Sequence, residues 1–231
     1  GGAYGLARYN SSGVLVASAS LNSDGVTGTL TSDSSGNLYY LGSAQPARFL
    51  KKFSPSLALL AQRPFEPGGF DGYLASDGGF VYGAHNGTPA ASIVKYDANL
   101  VPLATATYLV NGATNTIAKG IDVDGLGNVY VLVSTGFSFG ARTHLVKYAN
   151  TLSGSSTAVD ATVLGMDDWS MARQGSGLYL SGRSGTQLKV RKLDPTTLAD
   201  TGISFTLAND THSVGGLTQI RRTPDGHVAV V

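Results

Sequence analysis

Residues Asp124–Val131 read DGLGNVYV, and HLVKY follows at His144–Tyr148. The first stretch is a turn feeding a strand: Asp, Gly and Asn accept tight backbone bends, and Val-Tyr-Val has the β-branched and aromatic character of a pleated, packed segment. What decides the fold is that both pieces recur. The turn and strand return as GNLYYLG at Gly36–Gly42, GGFVYGA at Gly78–Ala84, SGLYLSG at Ser176–Gly182 and GHVAVV at Gly226–Val231. Counted from Gly36, the successive spacings through Gly78, Gly127, Ser176 and Gly226 are 42, 49, 49 and 50 residues. A four-stranded propeller blade has a period of about 40–50 residues.

The second piece recurs independently, as FLKKF at Phe49–Phe53, IVKY at Ile93–Tyr96 and VRKL at Val190–Leu193. Its fifth copy stands at the other end of the chain, as LARY at Leu6–Tyr9. Reading from Val231 into Gly1 restores the order of the other copies, with a spacing of 41 residues from Gly226 round to Gly36. The spacing predicts an all-β chain, a five-bladed β-propeller of four-stranded antiparallel blades, closed by a blade shared between the termini. One domain, 1–231, divides into blades near 25–69, 70–115, 116–165 and 166–213, with 214–231 and 1–24 combining as the last. An open array would leave two apolar blade faces bare, and ladder hydrogen bonds between the chain ends would remove them. Inner strands fall at 120–124 and 220–223, outer strands or their turns at 13–19, 57–61 and 100–104, and no window of a dozen residues carries a helical stripe.

DGLGNVYV followed by HLVKY, with its parallel copies, resembles the bacterial β-propeller repeat family often called SBBP repeats, and more loosely the NHL and kelch-like propellers. The resemblance covers essentially the whole chain. It implies a blade rather than an activity, in a family of mostly secreted or surface-associated proteins. Leu193 departs from the pattern, standing where the other copies have an aromatic residue.

Composition fits five copies of a turn-strand unit. Gly contributes 31 of 231 residues and charged residues only 13%, against about 7% and about 25% in average globular chains. Sixteen basic and fifteen acidic residues leave a net charge of +1, so no whole-chain field exists to hold a phosphate backbone, and nucleic acid is not an expected partner. No apolar run approaches the roughly 18 residues of a membrane span. The absence of cysteine removes disulfide, zinc-thiolate and thiol chemistry. The chain opens on Gly-Gly-Ala-Tyr without Met, as expected of a processed chain or a piece of a larger one. An extracellular, cell-surface or periplasmic monomer is the compositional expectation.

In an antiparallel blade the connections between second and third strands share a rim with those leading into the next blade. That rim is expected to hold ligands, and it carries the candidate site residues. Asp167, Asp168 and Trp169, the single tryptophan, offer a flat apolar face with two carboxylates, as a sugar ring requires. The same side chains would equally serve as packing at the start of an inner strand, with solvated acids. Phe137, Phe139, Arg142 and Arg183 would form a partner-binding patch, or a loop folded over its own aromatic rings. His85 and Asn86 lie on another connection of this rim.

Glu66, Asp71, Asp167, Asp168 and Asp210 fall there too, and paired carboxylates about 5–10 Å apart would permit glycoside cleavage. Asp122–Asn128 (DVDGLGN) has alternating oxygen ligands but lacks the terminal bidentate Glu of a calcium loop. It reads as a turn held by its own aspartate side chain. The four histidines, His85, His144, His212 and His227, show no metal-ligand spacing, and no metal or cofactor is expected. The recurring Arg8, Lys52, Lys95, Lys147 and Lys192 read as structural, their alkyl stems lying on the neighbouring blade. Asn10, Asn86 and Asn209 match the N-glycosylation acceptor. The functional expectation is a non-enzymatic module presenting a loop rim to a glycan or protein. The alternatives are a carbohydrate-active hydrolase or lyase with acids at the channel mouth, and a purely structural unit of a larger surface protein.

Overall fold

A computed structural model describes the chain apart from residues 1–4, 22–27, 45–46, 66–71, 137–140, 155, 185–186, 208–219, 224, 226 and 231. A hairpin comes first, β1 (Gly5–Tyr9) and β2 (Leu15–Ser20), paired antiparallel. Sheet 1 is β3 (Gly28–Ser32), β4 (Leu38–Ala44), β5 (Ala47–Phe53) and β6 (Leu59–Pro64). Sheet 2 is β7 (Gly72–Asp77), β8 (Phe80–His85), β9 (Ala91–Tyr96) and β10 (Pro102–Tyr108). Sheet 3 is β11 (Ile117–Val123), β12 (Val129–Ser134), β13 (Thr143–Tyr148) and β14 (Thr157–Asp160). Sheet 4 is β15 (Asp167–Gln174), β16 (Gly177–Ser184), β17 (Gln187–Leu193) and β18 (Asp200–Leu207). A final hairpin pairs β19 (Ile220–Arg222) with β20 (Val228–Val230). Among the described residues the helical content is one 3₁₀ turn, Ala161–Leu164.

Each sheet is an antiparallel meander with its first strand innermost. β3, β7, β11, β15 and β19 lie side by side in that order, so the sheets stand face to face around their first strands. The architecture is all-β and propeller-like. Among the described residues each terminal hairpin forms a two-stranded sheet.

β12 shows why the strands read as unbroken apolar runs. Val129, Val131 and Val133 point toward sheet 2 and pack with Tyr82, Ala84 and Ile93, while Tyr130 and Leu132 point the other way, onto Leu178 and Leu180 of sheet 4. With both faces buried, period-two alternation in polarity vanishes. It survives in outer strands such as β2, β6 and β10, which expose every second residue. Sheets 1 and 2 meet through Tyr39, Leu41, Leu50, Leu74 and Tyr96. The first hairpin packs Leu6 and Leu21 on Tyr40 and Phe53 of sheet 1, and the last sets Ile220 against Ala172 and Val190 of sheet 4.

The turns between third and fourth strands share an unusual device. Leu57, Leu100, Leu152 and Leu198 adopt left-handed backbone, with φ of 63°, 66°, 54° and 62°, yet all four side chains are buried. The left-handed conformation costs an L-residue about 1–2 kcal/mol, and fully burying a leucine contributes about 1.5–3 kcal/mol. Each leucine therefore wins by anchoring its turn in the seam beside it.

Candidate functional site

A polar cavity of about 220 Å³ lies among the described residues. It is lined by Ser76 and Asp77 from sheet 2, Val123, Asp124 and Gly125 from sheet 3, and Arg173, Gln174 and Gly175 from sheet 4. These are the ends of the innermost strands and the turns that follow them. The cavity thus opens on the rim opposite the one where the sequence reading placed its candidates.

Local turn chemistry builds one wall. Asp124 accepts hydrogen bonds from the amides of Leu126 and Asn128, from the Asn128 side chain and from the Tyr130 hydroxyl, at 2.7 to 3.0 Å. Burial pushes its carboxyl upward, but the bonds from Asn128 and Tyr130 outweigh that and hold it below the usual 3.8. Its oxygens are fully engaged, which gives the calcium-like DVDGLGN stretch the self-capped turn structure. Asp33 repeats the arrangement with Ser35, Asn37 and Tyr39.

Arg173 forms the opposite wall. Its guanidinium lies 3.7 Å from the Asp124 carboxylate and 5.2 Å from the Tyr130 ring centroid, and it donates to the Gly175 carbonyl at 3.2 Å. Its backbone amide donates to Asp122 of the neighbouring sheet at 2.7 Å. Its Nε is buried without a partner. Asp33, Asp97, Asp124, Asp160, Asp194 and Asp200 all spend their carboxylates on nearby amides. The Asp77 carboxylate accepts no hydrogen bond among the described residues. The cavity therefore sets the uncommitted carboxylate of Asp77 and the side chain of Arg173 around one space.

The candidates named from sequence distribute differently. His85 and Asn86 are interior, 2% and 6% exposed, not rim surface. The Nδ1 of His85 is 3.0 Å from the Asn86 carbonyl and its ring meets Phe65 edge-on at 5.3 Å. Asn86 accepts from the Ala118 amide at 2.8 Å, tying sheet 2 to sheet 3. Apolar burial of the strand end and a backbone donor needing a partner explain both, and they also close Asn86 to glycosylation. Arg142 is exposed and donates to the Asn111 carbonyl at 2.7 Å.

The backbone of β15 pairs Asp167 opposite Arg183 and bulges between Asp167 and Ser170. Asp168 and Trp169 thus sit in a bulge, a feature frequent beside binding sites. The side chains of Asp167, Asp168 and Trp169 lie outside what the structure describes, as do Phe137, Phe139, Glu66, Asp71 and Asp210 altogether. Sequence reasoning missed Asp77 and Arg173. The signal was present in the absence of an Asx-type turn after Asp77, where GG follows directly.

The recurring cations do more than cover apolar surface. Lys52 donates to the carbonyl of Ala98 at 2.9 Å, Lys95 to Asn150 at 2.9 Å and Lys147 to Pro195 at 3.0 Å, each reaching the third-to-fourth-strand turn of the next sheet. Arg8 of the first hairpin does the same to Pro55 of sheet 1. Each lysine ammonium also lies over a tyrosine or phenylalanine ring of its own sheet.

No family model matches the chain, and no curated protein matches it. Among solved structures it is similar to a luciferin-regenerating enzyme, with TM-score 0.58 and 12% identity over 99% of this chain and 73% of that one. A Lactobacillus plantarum protein gives TM-score 0.56 and 15% identity over 95% and 74%. A subtype N11 neuraminidase-like protein of a flat-faced bat influenza A virus gives TM-score 0.53 and 12% identity over 75% and 50%. The chain spans about half the length of the neuraminidase-like proteins it matches. At these identities the likeness is one of fold, and the fold is of the β-propeller type.

Proposed function

We propose that the chain is a closed five-bladed propeller of the bacterial repeat type that acts as a non-enzymatic binding module of a secreted or surface protein. The ligand is a polyhydroxylated molecule, a glycan, taken at the polar cavity. The observation that carries this reading is the placing of the Asp77 carboxylate, which accepts no hydrogen bond among the described residues, and the Arg173 side chain on one polar cavity lined also by Ser76 and Gln174. A sugar hydroxyl donates and accepts at once, so it satisfies both groups without placing net charge between them. The competing enzymatic reading needs two carboxylates free to exchange protons. At this cavity Asp124 is consumed by its own turn, leaving Asp77 alone.

Glycan-array binding by the parent chain, with Asp77→Asn and Trp169→Ala beside it, tests the proposal. Loss of signal in Asp77→Asn with retention in Trp169→Ala is the expected result. The opposite pattern moves the site to the other rim, and a parent chain silent on the array overturns the glycan reading in favour of a protein partner or pure scaffolding.

A further inference from the structure

The lysine contacts form a series with one member missing. Arg8, Lys52, Lys95 and Lys147 each reach a carbonyl two residues beyond the end of the third strand in the following sheet: Pro55, Ala98, Asn150 and Pro195. Lys192 occupies the same position on β17, its ammonium 6.0 Å from the Tyr179 ring centroid, and it donates to no carbonyl among the described residues. The turn that receives no cation is the one after β1, where the position two beyond Tyr9 is Ser11.

A second series has a gap at the same place. Phe53, Tyr96, Tyr148 and Leu193 end their third strands at 4%, 3%, 4% and 1% exposure, each packed toward the preceding sheet. Tyr9 ends β1 at 60% exposure. The seam that lacks such a residue is the one lined by Ala172, Val190 and Ile220. Pairing registers supply the third element. Leu38 faces Phe53, Val81 faces Tyr96, Val129 faces Tyr148 and Leu178 faces Leu193. Carried onto the termini, this register sets Val228 opposite Tyr9 and Val230 opposite Ala7.

We propose that the face of sheet 4 beside Ile220 and the edge of β20 are a docking surface for the chain's own hairpin Gly5–Ser20. Tyr9 inserts into the seam beside Val190 and Lys192 donates to the Ser11 carbonyl. The hairpin is then held on both sides by the same device, Arg8 to Pro55 on one and Lys192 to Ser11 on the other. This rests on the closed-ring reading above, and it adds the residues and register that do the closing. The polar anchor and the aromatic anchor are both vacant at one seam, and a segment carrying the complement of each ends beside it in the repeat.

The test uses the absence of native cysteine. In the full chain, Ala7→Cys with Val230→Cys is expected to oxidise to an intramolecular disulfide. Separately, Lys192→Met is expected to lower the melting temperature as much as Lys147→Met does, and Tyr9→Ala as much as Tyr148→Ala, with Tyr9→Phe close to the parent. If the disulfide forms but Lys192→Met and Tyr9→Ala melt with the parent, the latch is wrong and the closed ring stands. If no disulfide forms, or it links two copies, closure within one chain is overturned and the latch with it.

Discussion

Lys147 and Pro195 join two sheets through one hydrogen bond, Nζ to carbonyl at 3.0 Å, and the Tyr130 hydroxyl, whose single proton is directed to Asp124, lies 3.0 Å from the same carbonyl. A hydrogen bond from a charged donor contributes about 1.5–3 kcal/mol, and partial exposure places this one at the lower end. Lys147→Met keeps an unbranched apolar stem and removes the bond. It is expected to lower the melting temperature by about 3–6 °C, taking about 2–4 °C per kcal/mol for a chain of this size. Calorimetry on the two proteins checks it, and an unchanged transition would show the contact to be idle.

Leu100 combines a φ of 66° with 1% exposure. Leu100→Gly relieves the backbone and empties the seam, so the two effects oppose each other. The cavity term for a buried leucine, about 2–5 kcal/mol, exceeds the relief of about 1–2 kcal/mol. Leu100→Gly and Leu100→Ala should both destabilise in urea titration, and Ala should be no better than Gly. A Gly variant more stable than the parent would sink the anchoring role.

Gly127 has a φ of 80°, and a Cβ there would stand 2.7 Å from the Cβ of Asn150. Asn150 is the residue whose carbonyl receives Lys95. Gly127→Ala therefore strains the turn and displaces a latch acceptor, with an expected loss of about 1–3 kcal/mol. The control is Gly125→Ala, where nothing lies within 4 Å, and it should melt close to the parent.

Burial pushes the imidazoles of His85 and His144 below their ordinary value of 6.5. The unfolded chain therefore binds these protons more readily than the folded one. The stability they govern is complete above pH about 6.5 and declines as pH falls through that value toward the lowered folded one. Asp33 and Asp124, held below 3.8, govern a second decline at more acid pH, as their folded carboxyls protonate. Melting temperature followed from pH 8 to pH 3 should show two falling limbs, and His85→Gln with His144→Gln should flatten the upper one. An upper limb unaffected by that pair would assign it elsewhere.

Much of the blade grammar was legible because it is local. GNLYYLG or DGLGNVYV names its own turn, its own strand and, through unbroken apolarity, a strand with both faces covered. The Asp124 turn was readable for the same reason, since its four donors come from the next six residues. Asp77 and Arg173 were not readable, because what matters about them is which partners they lack, and those partners would come from sheets about 50 residues apart. His85 and Asn86 looked like loop residues on a ligand rim. The packing of Phe65 and the Ala118 amide, both distant in sequence, turned them inward.

The sequence by itself determined the repeat, the order of strands within each sheet and the position of one cation per repeat, since all of these rest on backbone preferences and spacings within about 50 residues. Tertiary structure alone decided where those cations end. The distance from a lysine ammonium to the next sheet's turn depends on how two sheets pack across a seam, and no local pattern encodes it. It likewise decided that the uncommitted carboxylate of Asp77 and the guanidinium of Arg173 share one rim, because burial and the satisfaction of hydrogen bonds are properties of the assembled seams.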